Sequence, residues 1–389
     1  MTKRTLTAAK KTKRLRSGFT TGACAAAAAK GAALLLLRGS RPDSVEIPFP
    51  TGDRYGFTLH SCCLQDDQAT ASVIKDAGDD PDVTNGAEII AVVEPGEVDG
   101  EDWLTLRGGP GVGTVTKPGL PIAPGEPAIN PVPQRMIREA LLEALAEANS
   151  VSKTDGVSKT DGQPLPLKVT ICVRDGELLA EKTLNARLGI VGGLSILGTT
   201  GIVRPISARA WTDTIDASMK VARAAGLDEV LLSTGRTSEA AVQRYLEARR
   251  SASLPEEAQV MMGDYLAYGL KAARRHGFAK IHLAGMWAKV LKCALRIPQT
   301  HVRHGALEVR QAADLLERLG LDRTMARELA GANTAREIYE RLSSAGRTDL
   351  IRAVCEEAAG YARKRSGLKV ELYLVTSEAG VVECVKDRR

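Results

Sequence analysis

Two stretches of the chain are dense enough in functional side chains to do chemistry. In KDAGDDPDVTNG, Lys75 to Gly86, four carboxylates (Asp76, Asp79, Asp80 and Asp82) stand within seven residues. Such a cluster can supply acid–base groups, close a pocket or hold a hard cation. The spacing is not that of an EF-hand loop, no bidentate Glu follows at the twelfth position, and Asp and Gly before Pro also build ordinary turns. The second stretch is GLSILGTTGIVRP, Gly193 to Pro205, centred on Gly198, Thr199, Thr200, Gly201 and Arg204. Small residues let the main chain approach a ligand and offer it amides and hydroxyls. Loops that need positive φ select the same residues, so the stretch is either a cradle or a turn.

Other motifs are narrower. His301 and His304 lie three apart in PQTHVRHGAL with no carboxylate or thiol close by in sequence. They are surface histidines after a helix stop at Pro298, or His301 is a hydrogen-bonding or acid–base group; a metal pair has little support. GGPGVGTVTKPGL, Gly108 to Leu120, lacks the spacing of a phosphate-binding P-loop, and Lys117 reads as a solvated charge. No G-x-S-x-G elbow is present, which excludes the common esterase pattern.

The elements that must position these residues change character along the chain. GACAAAAAKGAALLLLRG predicts a buried helix with Thr20 or Thr21 near its N-cap. It is interrupted by Lys30, no cleavage site follows it, and it is too short to span a bilayer. Short β-rich segments follow (SVEIPF, RYGFTLHSC, QATASVIKDAG, AEIIAVVE, DWLTLRG), then a helix over 131–148. VSKTDGVSKTDG, residues 151–162, is a perfect tandem repeat that suits a surface loop tolerant of insertion. Beyond it strands alternate with helices, predicting right-handed crossovers and a largely parallel sheet. Three small-residue loops are then expected at its C-terminal strand ends: Gly198–Gly201, Ser233–Arg236 and Gly285–Ala288. The fold class is thus mixed, α/β and α+β. It comprises a disordered basic tail over 1–16, an N-terminal domain of mixed strands over 17–165, and a C-terminal α/β domain over 166–389.

Composition narrows the partners. The net charge of +6 resides in the first sixteen residues, which carry seven Lys or Arg and no acid, so the body is nearly neutral. With only 4% aromatic residues, an extended base-stacking surface is not expected. These features argue against nucleic acid, and the sequence predicts no membrane span, a cytoplasmic setting and possible homo-oligomerisation. Seven cysteines, an odd number without a Cys-x-x-Cys pair, read as free core thiols, and no metal site is predicted.

Several segments together resemble the cobalt-precorrin-5B C(1)-methyltransferases of anaerobic cobalamin biosynthesis (CbiD type). They are GFTTGACAAAAAKGA, VIKDAGDDPDVTNGAEI, GVGTVTKPGL, GEPAINPVPQRMI, GGLSILGTTGIVRPIS, GDYLAYGLKAARRHGF and the Gly285–Lys292 turn followed by Thr300 and His301. They run in consistent order from about residue 17 to 305. The resemblance implies S-adenosylmethionine-dependent C-methylation at C1 of a cobalt corrinoid, giving cobalt-precorrin-6A, with cobalt arriving only inside the substrate. It favours a ligand role for the small-residue loops. Gly198, Thr199, Thr200, Gly201, Thr234 and Gly235 become expected cofactor contacts, and Asp264 is either an N-cap or a ribose ligand. Arg204, Arg236, Lys289 and Lys292 are expected contacts for the substrate's carboxylates. Asp76, Asp79 and Asp80 would close the pocket from the first domain, and these three with His301 are the candidate catalytic residues. Two departures stand out: Val302 where the family pattern has Ser, and strand-end loops without the glycine fingerprint or acidic second-strand terminus of common Rossmann methyltransferases. The rival readings are a non-catalytic corrinoid carrier and a small-molecule phosphotransferase using Gly108–Lys117.

Overall fold

The computed structural model describes residues 15–97, 102–151, 164–205, 207–250, 254–300 and 309–387. The chain divides into two units, one of residues up to Thr116 with Pro121–Ser207, the other of Lys117–Leu120 with Ala208–Arg389. The tandem repeat after Val151, residues 1–14 of the basic tail, and His301 with His304 lie outside the described residues.

The first unit is built around helix α1 (Thr21–Arg38). Thr20 caps it by accepting the Ala23 N–H at 3.2 Å, and Gly39 at φ 64° ends it. Every residue from Thr21 to Leu35 is buried; against the expectation of a run too short to span a bilayer, α1 has the length and apolarity of a span, yet 83% of it lies inside the unit. A hairpin of β1 (Ser44–Pro48) and β2 (Arg54–Thr58) follows. Then come β3 (Ser61–Gln65), β4 (Gln68–Ile74), β5 (Glu88–Pro95), β6 (Leu104–Gly108), helix α2 (Pro131–Val151) and β7 (Leu167–Val173). Five strands form one sheet in the order β3-β4-β5-β7-β6, antiparallel except for the β7–β6 pair. Its inward alternation, for example Leu167, Val169, Ile171 and Val173, packs with α1 and α2 into one core. Lys30 is 2% exposed, yet its ammonium meets Glu143 at 2.7 Å and Glu147 at 2.8 Å on α2. The one buried charge of α1 is therefore satisfied by carboxylates of α2, which ties the two helices together.

Three expectations need correction here. The domain division falls at Ser207/Ala208 rather than 165/166, because β7 is hydrogen-bonded between β5 and β6; a short apolar alternation cannot announce which sheet it joins. Arg16, placed in the disordered tail, is instead held by Asp76 and Asp79. Cys63 is exposed rather than core, since β3 alternates and sends only Cys62 inward.

The second unit contains α3 (Ala208–Ala224), β8 (Glu229–Ser233), α4 (Arg236–Arg250), β9 (Gln259–Met261), α5 (Leu266–Arg275), β10 (Lys280–Met286) and α6 (Trp287–Ala294). Helices α7 (Val309–Arg318), α8 (Arg323–Leu329), α9 (Ala335–Ser344) and α10 (Thr348–Ser366) precede β11 (Lys369–Thr376) and β12 (Gly380–Val385). The sheet order is β9-β8-β10-β11-β12, parallel but for the terminal hairpin. From β8 the chain moves outward to β9 and then returns across β8 to β10, so α4 covers one face and α5 and α6 the other. That reversal makes the C-terminal ends of β8 and β10 a topological switch point, where parallel sheets bind ligands.

Candidate active site at the strand ends

The two classes of small-residue loop have different surroundings. Gly198–Gly201 belongs to the first unit, not to the C-terminal edge of the parallel sheet as expected. Loop carbonyls accept from the start of α1: Gly22 N–H donates to Leu197 at 3.0 Å and Thr20 N–H to Gly201 at 2.9 Å. Thr21 Oγ1 in turn accepts from the Leu197 N–H at 2.9 Å. A Cβ on Gly198 would sit 2.4 Å from Thr20 Oγ1, and one on Gly201 would sit 2.3 Å from the Phe49 ring. Both glycines also hold positive φ, 135° and 81°. Small side chains are thus required here by packing. Thr199 and Arg204 are exposed, and Thr200 exchanges 3.3 Å contacts with the backbone of Ile202.

The acidic loop is likewise knit into the first unit. Asp76 accepts from the Arg16 guanidinium and from Gly78 N–H, and the Arg16 bond, followed by the Gly78 bond, holds its carboxyl below the usual range. Asp79 accepts the Arg16 backbone N–H at 2.6 Å. Asp82 faces the buried Lys75 ammonium at 2.7 Å; burial pushes its carboxyl up, but Lys75 and Thr84 together bring it below the ordinary value. Asp80 is half-buried. Among the described residues no cluster of three His, Cys, Asp or Glu is arranged to hold a metal.

In the second unit, the predicted residues Thr234, Gly235, Arg236, Asp264, Lys289 and Lys292 do gather at strand ends. Thr234 and Gly235 follow β8, and Thr234 N–H donates to Ala284 in β10 at 3.2 Å. Gly235 has open space where a Cβ would stand. Arg236, exposed, opens α4. Asp264 lies three residues beyond β9, which itself ends in Met261 without an acidic terminus, as the sequence suggests. Nor is Asp264 an N-cap: Tyr265 occupies that position on α5, and no side chain bonds there. Instead the Asp264 carboxylate pairs with Lys289 and accepts from Thr300 Oγ1 at 2.8 Å. Lys292, 4% exposed, donates to the Thr300 carbonyl at 2.8 Å. Burial, then the neighbouring Lys289, lowers its ammonium below the usual lysine value despite Asp264. Lys289 and Lys292 thus anchor the chain at Thr300, and Arg236 remains the exposed cation. A cavity lined by Thr234, Gly285, Lys289 and Thr300 has only about 10 Å³, room for a single water.

Sequence reasoning missed Glu239. It lies in the first turn of α4, is 3% exposed, and accepts from Ser233 Oγ at 3.1 Å. A carboxylate already meets the positive end of this helix, so the switch point suits a cation or neutral group better than a phosphate. An acid in the turn after a strand-end glycine was the available signal. Lys117, the lysine of the phosphotransferase reading, is paired with Glu257 at 2.8 Å.

The CbiD family model matches residues 8–205, and that of the CbiD C-terminal domain matches residues 299–384. A Desulfotalea psychrophila protein named cobalt-precorrin-5B C(1)-methyltransferase is 54% identical over 95% of this chain and 97% of its own. A Geobacter metallireducens protein of the same name is 50% identical over 91% of this chain and 94% of its own. The crystal structure of a cobalamin biosynthesis protein (cbiD) from Archaeoglobus fulgidus is 28% identical, with a TM-score of 0.37 over 72% of this chain and 79% of that one.

Proposed function

The chain belongs to the CbiD family, and on that premise we propose that it methylates C1 of cobalt-precorrin-5B, with S-adenosylmethionine as donor. The observation that carries the activity is 54% identity, over nearly the whole chain, to a protein named for it. In the reaction the ring carbon's electron pair forms the new C–C bond. The methyl–sulfur bond breaks, and the sulfonium leaves as a neutral thioether. Such a displacement needs in-line positioning above all. Charge disperses in the transition state, which fixed dipoles in a water-poor site accommodate without a strong base.

The strand-end residues fit a donor of this kind. Thr234 offers a hydroxyl, Gly235 leaves room for close approach, Asp264 offers a carboxylate to ribose hydroxyls, and Glu239 is a nearby anion for a cationic ligand. Arg236 is assigned to a substrate carboxylate, being an exposed cation at the strand ends of the second unit. Lys289 and Lys292 are assigned the positioning of Asp264 and Thr300. Gly198 and Gly201, together with Asp76 and Asp79, are held by contacts within the first unit. Calorimetry of S-adenosylmethionine with and without a cobalt-corrinoid mimic tests the reading. Micromolar binding strengthened by the mimic supports it. Corrinoid binding indifferent to S-adenosylmethionine overturns it in favour of a carrier.

A further inference from the structure

The cavity at the switch point is too small for a nucleoside, which raises the question of where the rest of such a donor would lie. One step along the same edge, immediately after Asp264, the second unit opens a cleft of about 350 Å³ lined by Tyr265, Ala267, Tyr268, Pro298 and Gln299. Its lining includes two tyrosine rings, that of Tyr268 with the Arg275 guanidinium over one face at 5.4 Å, and a proline, and Gln299 brings an amide that can both donate and accept. Tyr265 is braced from α3 by Trp211, the ring centroids 6.4 Å apart and the planes 26° from parallel. Trp211 is still 43% exposed, unusual for a tryptophan in a chain with only three. Gly263, at φ 55°, passes beneath the indole, where a Cβ would stand 3.6 Å from its ring. Tyr268 is fixed by its hydroxyl, which donates to Asp216 at 2.6 Å. Asp216 is held in turn by His276 at 2.8 Å and by Arg275.

Resting on the methyltransferase reading, we propose that this cleft takes the adenine of the methyl donor, stacked against Tyr265 and Tyr268, with Gln299 meeting the base edge. The volume lies at the small end of ligand sites, which run from about 300 to 1,000 Å³. It suits a nucleoside-sized group and is too small for a tetrapyrrole. Asp264, one residue before Tyr265, then stands between the base and the switch point, where a ribose would connect them. Trp211 is not a contact but a brace, and its partial exposure makes it a reporter.

The test uses the intact protein and two probes, S-adenosylmethionine and adenosine alone. Both should bind competitively by calorimetry and quench tryptophan emission, and methionine alone should not. Trp211→Phe should abolish most of the quench while changing affinity less than threefold. Tyr265→Leu should weaken both probes at least tenfold with an unchanged melting temperature. Should Tyr265→Leu destabilise the fold, Gln299→Trp, at the rim, blocks the cleft instead and should also cost tenfold. Wild-type affinity in Tyr265→Leu or Gln299→Trp, with S-adenosylmethionine still bound, overturns the adenine site and leaves the methyltransferase reading standing. No S-adenosylmethionine binding to the wild type, with or without the corrinoid mimic, overturns both.

Discussion

Two glycine-bearing loops with nearly the same composition have opposite surroundings. Gly198 and Gly201 lie against Thr20 and Phe49, with φ values that L side chains avoid, and their loop's carbonyls take up N–H groups at the start of α1. Gly235 and its neighbour Thr234 lie at the end of β8 with nothing within 4 Å of the glycine's missing Cβ. The first loop is small because protein fills the space; the second is small with the space open. Glycine content alone therefore does not mark a ligand site: packing requires Gly198 and Gly201, whereas no protein atom requires Gly235.

The contrast breaks most readily at Gly201. Gly201→Ala adds positive-φ strain to a clash with Phe49, and should cost on the order of 4 kcal/mol, read as a large fall in the first unit's thermal midpoint. Gly201→Ala melting like the wild type would sink the packing account. Next is the ion pair that shapes the acidic loop. Asp82→Asn leaves the Lys75 ammonium buried without its counter-ion and should cost about 3 kcal/mol in urea unfolding; adding Lys75→Met should recover most of it. If the double variant is no better than the single, Lys75 has another role.

Smaller effects sharpen the other side. Gly235→Val should shift stability by less than about 1 kcal/mol yet weaken S-adenosylmethionine about tenfold in calorimetry, a loss of about 1.4 kcal/mol of binding. A stability loss without an affinity loss would place Gly235 with the packing glycines. The last is a pH effect at Glu143, spread over several pH units. Its bond to Arg54, against partial burial and aided by Lys30, takes its carboxyl from 4.5 to about 2 in the folded protein. Its contribution is therefore full above pH 4.5 and is lost as pH falls towards 2. Glu143→Gln should flatten the acid limb of stability in that window; an unchanged slope would assign the limb to other carboxylates.

Much of the fold was legible because it rests on local periodicity. The alanine helix with Thr20 as its cap, the helix opening at Pro131, and the strand–loop–helix units after Glu229 follow from apolar spacing and capping residues alone. The expected parallel sheet followed from the alternation of strands and helices. Aromatic content of 4% argued against an extended stacking surface, but a composition cannot register two rings brought together from α3 and the turn before α5.

What the sequence determined by itself was therefore the elements, the fold class and, through the order of its motifs, the family. Only tertiary structure decided where β7 pairs, that Arg16 holds Asp76, that Lys289 meets Asp264, and that Trp211 stacks on Tyr265. Each of these contacts joins residues tens of positions apart. Local propensity acts over a few residues, whereas long-range partners are selected by which buried charge or apolar face would otherwise be left unsatisfied.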